Sequence, residues 1–525
     1  MTTNKKLIKS TGMISIAIFS SRVMGFVRDI LFAGFFGTNI FAQAFVVAFR
    51  IPNMLRDMVG EGATNSAVVP ILTEYRTKAT PDEYWNVARI ILNLVIVVVT
   101  ILSVAGILFA PVLIRLIAPG FSDDPEKFRI TVILTQILFP YLIILGLEAY
   151  CAGVLNSLNY FITPAFATVI LNITMIISLV CLCPFMGIYG LVVGVLVGGV
   201  LQILLQVPQL KKRGFKFDRN FRLKHPVASR IGKLLGPRVV GTAVYHISVF
   251  VDTILASLGN IVGPGGVAAL YYSSRLIQLP LALFGVSLAT AVLPRMSEEF
   301  VANDMVKFKG TLQFSLKTVF TVMIPAAFGL MIISTPLIRI LFERGEFTEY
   351  STAITGSALL YYSLGVFAYA GTKILVNAYY AMGDTRTPVR TAMISLGTNI
   401  AFNLILMYPL KVGGLALATS ISAFVNFLTL YFLLQKKIGD IGTRDLVRYL
   451  YKIAIATFAM GLVEAVMAML FLSGDISGVE AFMRLGGIII ASGAVYLVAA
   501  WILKIDGVGS VLNMVASKFK KTKTA

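Results

Sequence analysis

The chain has 525 residues, of which 57% are hydrophobic and only 13% charged, and its mean hydropathy is +0.85. That balance excludes a soluble globular domain and defines an integral membrane protein. A formal charge of +20, from 45 Lys+Arg against 25 Asp+Glu, does not point to nucleic acid, because the basic residues are divided among loops between apolar runs.

Apolar runs of about 20 residues or more recur from end to end, each long enough to cross a hydrocarbon core about 30 Å thick. We count about fourteen, which predicts an all-α polytopic membrane protein. Helices 1 and 2 are expected near 10–36 and 40–70, followed by a polar loop from Thr73 to Asn86. The first run passes its arginines without a small-residue cleavage site, so helix 1 is expected to be its own membrane address. Helix 3 then runs to about 118, helix 4 spans about 128–156, helix 5 opens near Pro164 and helix 6 covers Ile188–Leu210. Helices 7 to 10 are expected near 231–258, 267–296, 309–341 and 351–381, helices 11 and 12 near 388–409 and 412–435, and the last two near 446–473 and 480–504.

Lysines 5, 6 and 9 precede helix 1. A dense cluster from Lys211 to Arg230 separates helices 6 and 7, a third runs from Lys436 to Lys452, and a fourth closes the chain at Lys518–Lys523. An even number of helices between clusters puts all four on one side, which predicts that both termini are cytoplasmic. These loops can also touch anionic headgroups of membrane lipids.

The two halves share a register. Val27–Leu31 (VRDIL) lies 224 residues before Val251–Leu255 (VDTIL), Ala67–Pro70 stands at the same offset from Ala291–Pro294, and Pro164 and Gly190 match Pro388 and Gly414. Several matches in one register predict two six-helix pseudo-repeats of like orientation, 1–224 and 225–440, with two additional helices and a basic tail in 441–525.

Against this scaffold, Arg22, Arg28, Asp29, Arg50, Arg56, Asp57 and Glu61 stand inside the first two spans, where charge is functional by default. Helical geometry puts Arg22 and Asp29 on one face with Arg28 off it, and groups Gln43, Arg50, Asp57 and Glu61 within roughly 40° with Arg56 to the side. Such stripes must face each other or line water. Guanidinium groups suit bidentate capture of phosphate or carboxylate, so an anionic substrate is expected. No GxxxxGK[ST] or HExxH pattern occurs, Cys151, Cys181 and Cys183 lie in or beside apolar runs, and His225 and His246 are far apart. A nucleotide-driven pump, a zinc centre and a disulfide framework are therefore not expected. The carboxylates share faces with more numerous arginines, which favours ligand binding or ion pairing over enzyme chemistry.

Ser21–Asp29 (SRVMGFVRD), Phe49–Arg56 (FRIPNMLR), Gly60–Ala63, Tyr272–Leu276 and Gly383–Pro388 together resemble the lipid II flippases of the MurJ/MviN family, over essentially the whole chain. The resemblance implies transport of lipid II, an undecaprenyl-pyrophosphate-linked disaccharide-pentapeptide, to the outer leaflet for peptidoglycan synthesis, alongside cell-wall synthesis proteins. It further implies that Arg28, Arg56 and Arg275 are cavity arginines, that Arg22, Asp29 and Glu61 contribute to binding, and that helices 13 and 14 form a groove for the polyprenyl tail. Some members bind sodium, and the matching positions are Asp252, Asn399, Asn403 and Thr419. The chain departs from the family at Asp57, where a base is common, and at Asn403, where an acidic ligand stands. A multidrug or other lipid-linked oligosaccharide exporter of the same superfamily is the alternative.

Overall fold

The computed structural model describes residues 3–55, 67–215, 225–472 and 478–505. Among the described residues the regular structure is helical, without strands. Helices α1 (Thr3–Phe36), α2 (Ile40–Leu55), α3 (Pro81–Leu108), α4 (Pro125–Ser157), α5 (Ile162–Cys181), α6 (Ile188–Lys211) and α7 (Pro226–Ser257) come first. They are followed by α8 (Gly266–Val301), α9 (Met305–Ile332) and α10 (Glu349–Ala381). The stretch Arg386–Ile438 is broken at Lys411, whose φ of 50° leaves helical space, into α11 (386–410) and α12 (412–438); α13 (Thr443–Phe471) and α14 (Gly478–Ile502) end the series. These are the about fourteen helices read from the sequence.

The internal repeat is written into the helix boundaries. Helices α3 and α9 begin and end 224 residues apart, as do α4 and α10, and the first residues of α5 and α11 keep the same offset. Their caps follow the register too. Thr80 accepts from the Glu83 amide and Asp304 from the Lys307 amide, while Asp124 accepts from the amides of Glu126 and Lys127 and Thr348 from that of Ser351. Each side chain satisfies a backbone donor that the first turn leaves without an intrahelical partner.

Three expectations need correction. The Thr73–Asn86 segment is not a loop: a short helix, Val69–Lys78, runs almost into α3, and Pro81 at the N-terminus of α3, with Asp82 and Glu83 in its first turn, supplies a strong start signal. Helix 3 does not continue to 118, because the chain breaks at Phe109 and restarts as Ala110–Ile117, which buries Ala110 and Ile114. Helix 9 likewise stops at Ile332 and restarts as Ser334–Phe342.

Packing divides the chain into two compact units, one of Met1–Leu258 with Arg344–Phe347, the other of Gly259–Glu343 with Thr348–Ala525. In the first, Ile71, Leu72, Tyr84, Ile91, Val154, Leu155 and Phe215 form a buried apolar cluster, and the Tyr84 hydroxyl lies 2.8 Å from Ser157 Oγ. Helix α7 belongs to this unit. The Gly120 amide donates to Ser257 Oγ at 3.1 Å, and a Cβ added at Gly120 would stand 2.2 Å from the Ser257 carbonyl oxygen, so only glycine allows that approach.

In the second unit α13 packs on α9, and α14 on α13. Pro325 inside α9 has no amide hydrogen, so the Thr321 carbonyl loses its normal helical donor; the Tyr496 hydroxyl of α14 donates to it at 2.7 Å. Thr321 Oγ1 also lies 2.7 Å from the Tyr449 hydroxyl of α13. At the other end of α10, Asp384 accepts from the amides of Arg386 and Thr387 and from Lys437 Nζ at 2.7 Å. Burial would raise its carboxyl pKa, but the Lys437 ammonium and the two hydrogen bonds from Thr387 outweigh it and hold the group well below the usual carboxylate range.

Candidate functional site

In the first unit the intramembrane charge is organised around Arg28 on α1. Its Nη2 and Nε donate to Asp29 Oδ1 at 2.7 and 3.1 Å, and its Nη1 donates to Asn172 Oδ1 of α5 at 3.0 Å. The Asn172 amide nitrogen is itself anchored, donating to the carbonyls of Ser21 at 3.2 Å and Thr168 at 3.1 Å, which aims its oxygen at the guanidinium. The side chains of Arg28 and Asp29 are only 15% and 6% exposed. A charge so placed needs a counter-charge and hydrogen bonds, and the cluster supplies both.

This arrangement differs from the pattern read off the helical wheel. Arg22 and Asp29 share a face, but Arg22 is exposed and Asp29 takes its ion pair from Arg28, the residue expected to lie off the stripe. The long guanidinium stem folds back over its neighbour, a freedom that Cα spacing does not represent. Asn172 was not singled out from the sequence, although an amide within an apolar run is the signal that would have marked it.

The second stripe separates. Gln43 donates to the Thr38 carbonyl at 3.2 Å and accepts from Lys127 Nζ of α4 at 3.1 Å, whereas Arg50 donates to Thr253 Oγ1 and the Val249 carbonyl of α7. Both tie helices together within the first unit. Arg56, Asp57 and Glu61 lie outside the described residues.

In the second unit Arg275 on α8 is half-buried, its guanidinium 4.8 Å from the centre of the Tyr271 ring and its Nη2 3.4 Å from the Tyr271 hydroxyl. The aromatic face one turn away orients the cation without adding a negative charge. A few residues on, Leu281–Val286 is π-helical after Pro280. Such bulges in a membrane helix re-aim the side chains that follow.

The sodium positions fall in both units. Asp252, 9% exposed, is on α7 in the first. In the second, Asn403 Nδ2 donates to Asn399 Oδ1 at 3.1 Å, Asn399 Nδ2 donates to Thr419 Oγ1 at 3.2 Å, and both asparagines are fully buried. Their amide and hydroxyl oxygens are of the hard type a sodium ion takes. Among the described residues no cluster of three or more His, Cys, Asp or Glu forms a metal centre.

The cluster makes a specific claim about Asn172. Asn172→Ala should leave Arg28 Nη1 without that acceptor, at a cost of about 1–3 kcal/mol. Thermal unfolding of the purified protein in detergent should record the loss.

Fold and charge together define a polytopic membrane transporter that keeps ionised side chains within its helical spans. The chain belongs to the lipid II flippase MurJ family, whose model matches residues 32–483. It is 33% identical over 457 residues to a probable lipid II flippase MurJ of Buchnera aphidicola (subsp. Acyrthosiphon pisum), covering 86% of this chain and 89% of that one. It is 34% identical over 423 residues to the lipid II flippase MurJ of Burkholderia cenocepacia, with 79% and 81% covered. A solved structure of lipid II flippase MurJ in an inward closed conformation superposes with a TM-score of 0.79 at 30% identity, covering 94% of this chain and 99% of that one. An inward-facing multidrug resistance MATE family transporter of the MOP superfamily shares the fold alone, with a TM-score of 0.58 at 14% identity over 82% of this chain and 95% of that one.

Proposed function

We infer that this protein flips lipid II, the lipid-linked precursor of peptidoglycan, from the cytoplasmic to the outer leaflet by alternating access. The observation that carries the reading is the Arg28 guanidinium, held at membrane depth by Asp29 and Asn172 in a chain of this family. A pyrophosphate presents the planar oxygen pairs that an arginine fork binds bidentately, and a substrate bearing two charges outcompetes the neutral amide for it. Arg56 and Arg275 are proposed as further headgroup contacts, with Arg22, Asp29 and Glu61 beside them. The polyprenyl tail stays in hydrocarbon, which avoids dragging a polar headgroup through lipid. No bond needs to be made or broken.

The basic loops support a cytoplasmic-membrane location with both termini inside, and the enzymes that polymerise the flipped precursor are the expected protein partners. Depletion of the protein in its own cell should trap lipid II in the inner leaflet. An unchanged leaflet ratio would overturn the reading.

A sodium role is proposed for Asp252, a buried carboxylate at the repeat position of Arg28 that an accompanying cation would stabilise. Asp252→Asn should then remove any difference in transport between sodium and potassium media while preserving headgroup binding. A sodium effect that survives the substitution would exclude this residue.

A further inference from the structure

Helix α13 carries a buried acid that the transport reading does not use. Its inward stripe is Leu446, Tyr449, Ile453, Ala456, Thr457, Met460, Gly461 and Glu464, apolar or hydroxylic until the last member. Glu464 is 2% exposed, and its Oε2 has no hydrogen-bond partner. It stands seven residues before Phe471, about 10 Å inside the end of the helix.

The contact is built closely. Glu464 lies against Gly329 of α9, where an added Cβ would come within 3.1 and 3.3 Å of the two carboxyl oxygens. One turn earlier Gly461 receives Phe328, whose ring would be 2.4 Å from a Cβ there. Two glycines thus bring α9 and α13 together around the acid, the usual device for close helix approach in a membrane.

Among the described residues no counter-charge faces it from the helices packed on α13. On α9 the nearest described cation along the helix is Lys317, twelve residues before Gly329 and about 18 Å away, with its ammonium over the Tyr449 ring. On α13 itself, Lys452 is equally distant, with Arg444, Asp445 and Arg448 beyond it. On α14, Glu480 and Arg484 pair with each other at the exposed outer end, where Arg484 also donates to the Phe471 carbonyl at 3.2 Å. An ionised carboxylate in such surroundings would pay most of its hydration energy with nothing in return.

We propose that Glu464 is a proton-binding site: its carboxyl carries a proton while α13 lies against Gly329, and releases it to water when the α9–α13 seam opens. The step is a simple exchange, in which the O–H bond breaks, the electron pair stays on the carboxylate and the proton goes to solvent. Because the proton binds the closed seam more tightly than the open one, the proton concentration biases the position of the α13–α14 pair. The inference does not depend on the identity of the transported lipid.

Infrared difference spectroscopy on the full-length protein in lipid nanodiscs, wild type against Glu464→Gln, tests it. A protonated-carboxyl carbonyl band present at neutral pH, absent in E464Q and lost reversibly on alkaline titration is the expected result. A distance reporter placed across α9 and α13, read through the same titration, should lengthen as the band is lost. Absence of the band at neutral pH, its persistence in E464Q, failure to titrate while the protein stays folded, or a distance that does not change across the titration would each overturn the proposal.

Discussion

Arg28→Ala and Arg275→Ala should each abolish lipid II flipping, by about a hundredfold or more, in protein that still reaches the membrane. The size follows from losing a charge-assisted bidentate contact in a low-dielectric site, about 3 kcal/mol or more at about 1.4 kcal/mol per decade. Arg28→Ala also takes from Asp29, whose side chain is 6% exposed, its ion pair with Arg28, and breaking a buried pair by removing one member costs about 3–5 kcal/mol. Loss of activity alone would therefore confound a ligand contact with a folding defect. The double variant Arg28→Ala/Asp29→Asn removes both charges, and should recover stability without recovering transport. Transport restored by the double variant would show that Arg28 serves only to neutralise Asp29. Lysine at either position should rescue in part, since a point charge cannot reproduce the fork. Leaflet-resolved assay of lipid II together with unfolding in detergent gives both readouts.

Removal of α13 and α14, by truncation after about Lys436, should impair transport of long-tailed substrate more than that of a short-tailed analogue. The reason is positional: the pair lies outside the 224-residue repeat, which the twelve helices before it carry. The truncation also carries a structural cost. Thr321 would lose the Tyr496 donor to its carbonyl, at about 1–3 kcal/mol for a buried group left unsatisfied, while its hydroxyl would lose Tyr449 but keep its bond to the Lys317 carbonyl. A general loss of stability should therefore accompany the tail-length effect. Tyr496→Phe separates the two, because it removes the hydroxyl and leaves the lipid-facing surface of the pair in place. Equal loss for long and short tails, matched by Tyr496→Phe, would reduce the appendix to a brace for α9.

Much of the architecture was determined by the sequence alone, because in hydrocarbon every backbone polar group must be satisfied within its own segment. Apolar length then counts the spans. The 224-residue register was equally legible, and the structure carries it on to the cap pairs Thr80 with Asp304 and Asp124 with Thr348, since capping is a local hydrogen bond made by a residue and the amides just after it. The presence of Arg28, Asp29 and Arg275 within spans needed no coordinates either. Their partners did. Helical spacing paired Asp29 with Arg22, but side-chain reach and the Asn172 amide of α5, 144 residues away in sequence, gave it to Arg28. Gln43 and Arg50 share a stripe, yet packing sent one to α4 and the other to α7. Glu464 could be seen in the sequence as an acid in an apolar run. That it faces the bare backbone of Gly329 with no described cation in reach is a property of how α9 and α13 meet, because a counter-charge is supplied or withheld by distant segments that only packing brings together.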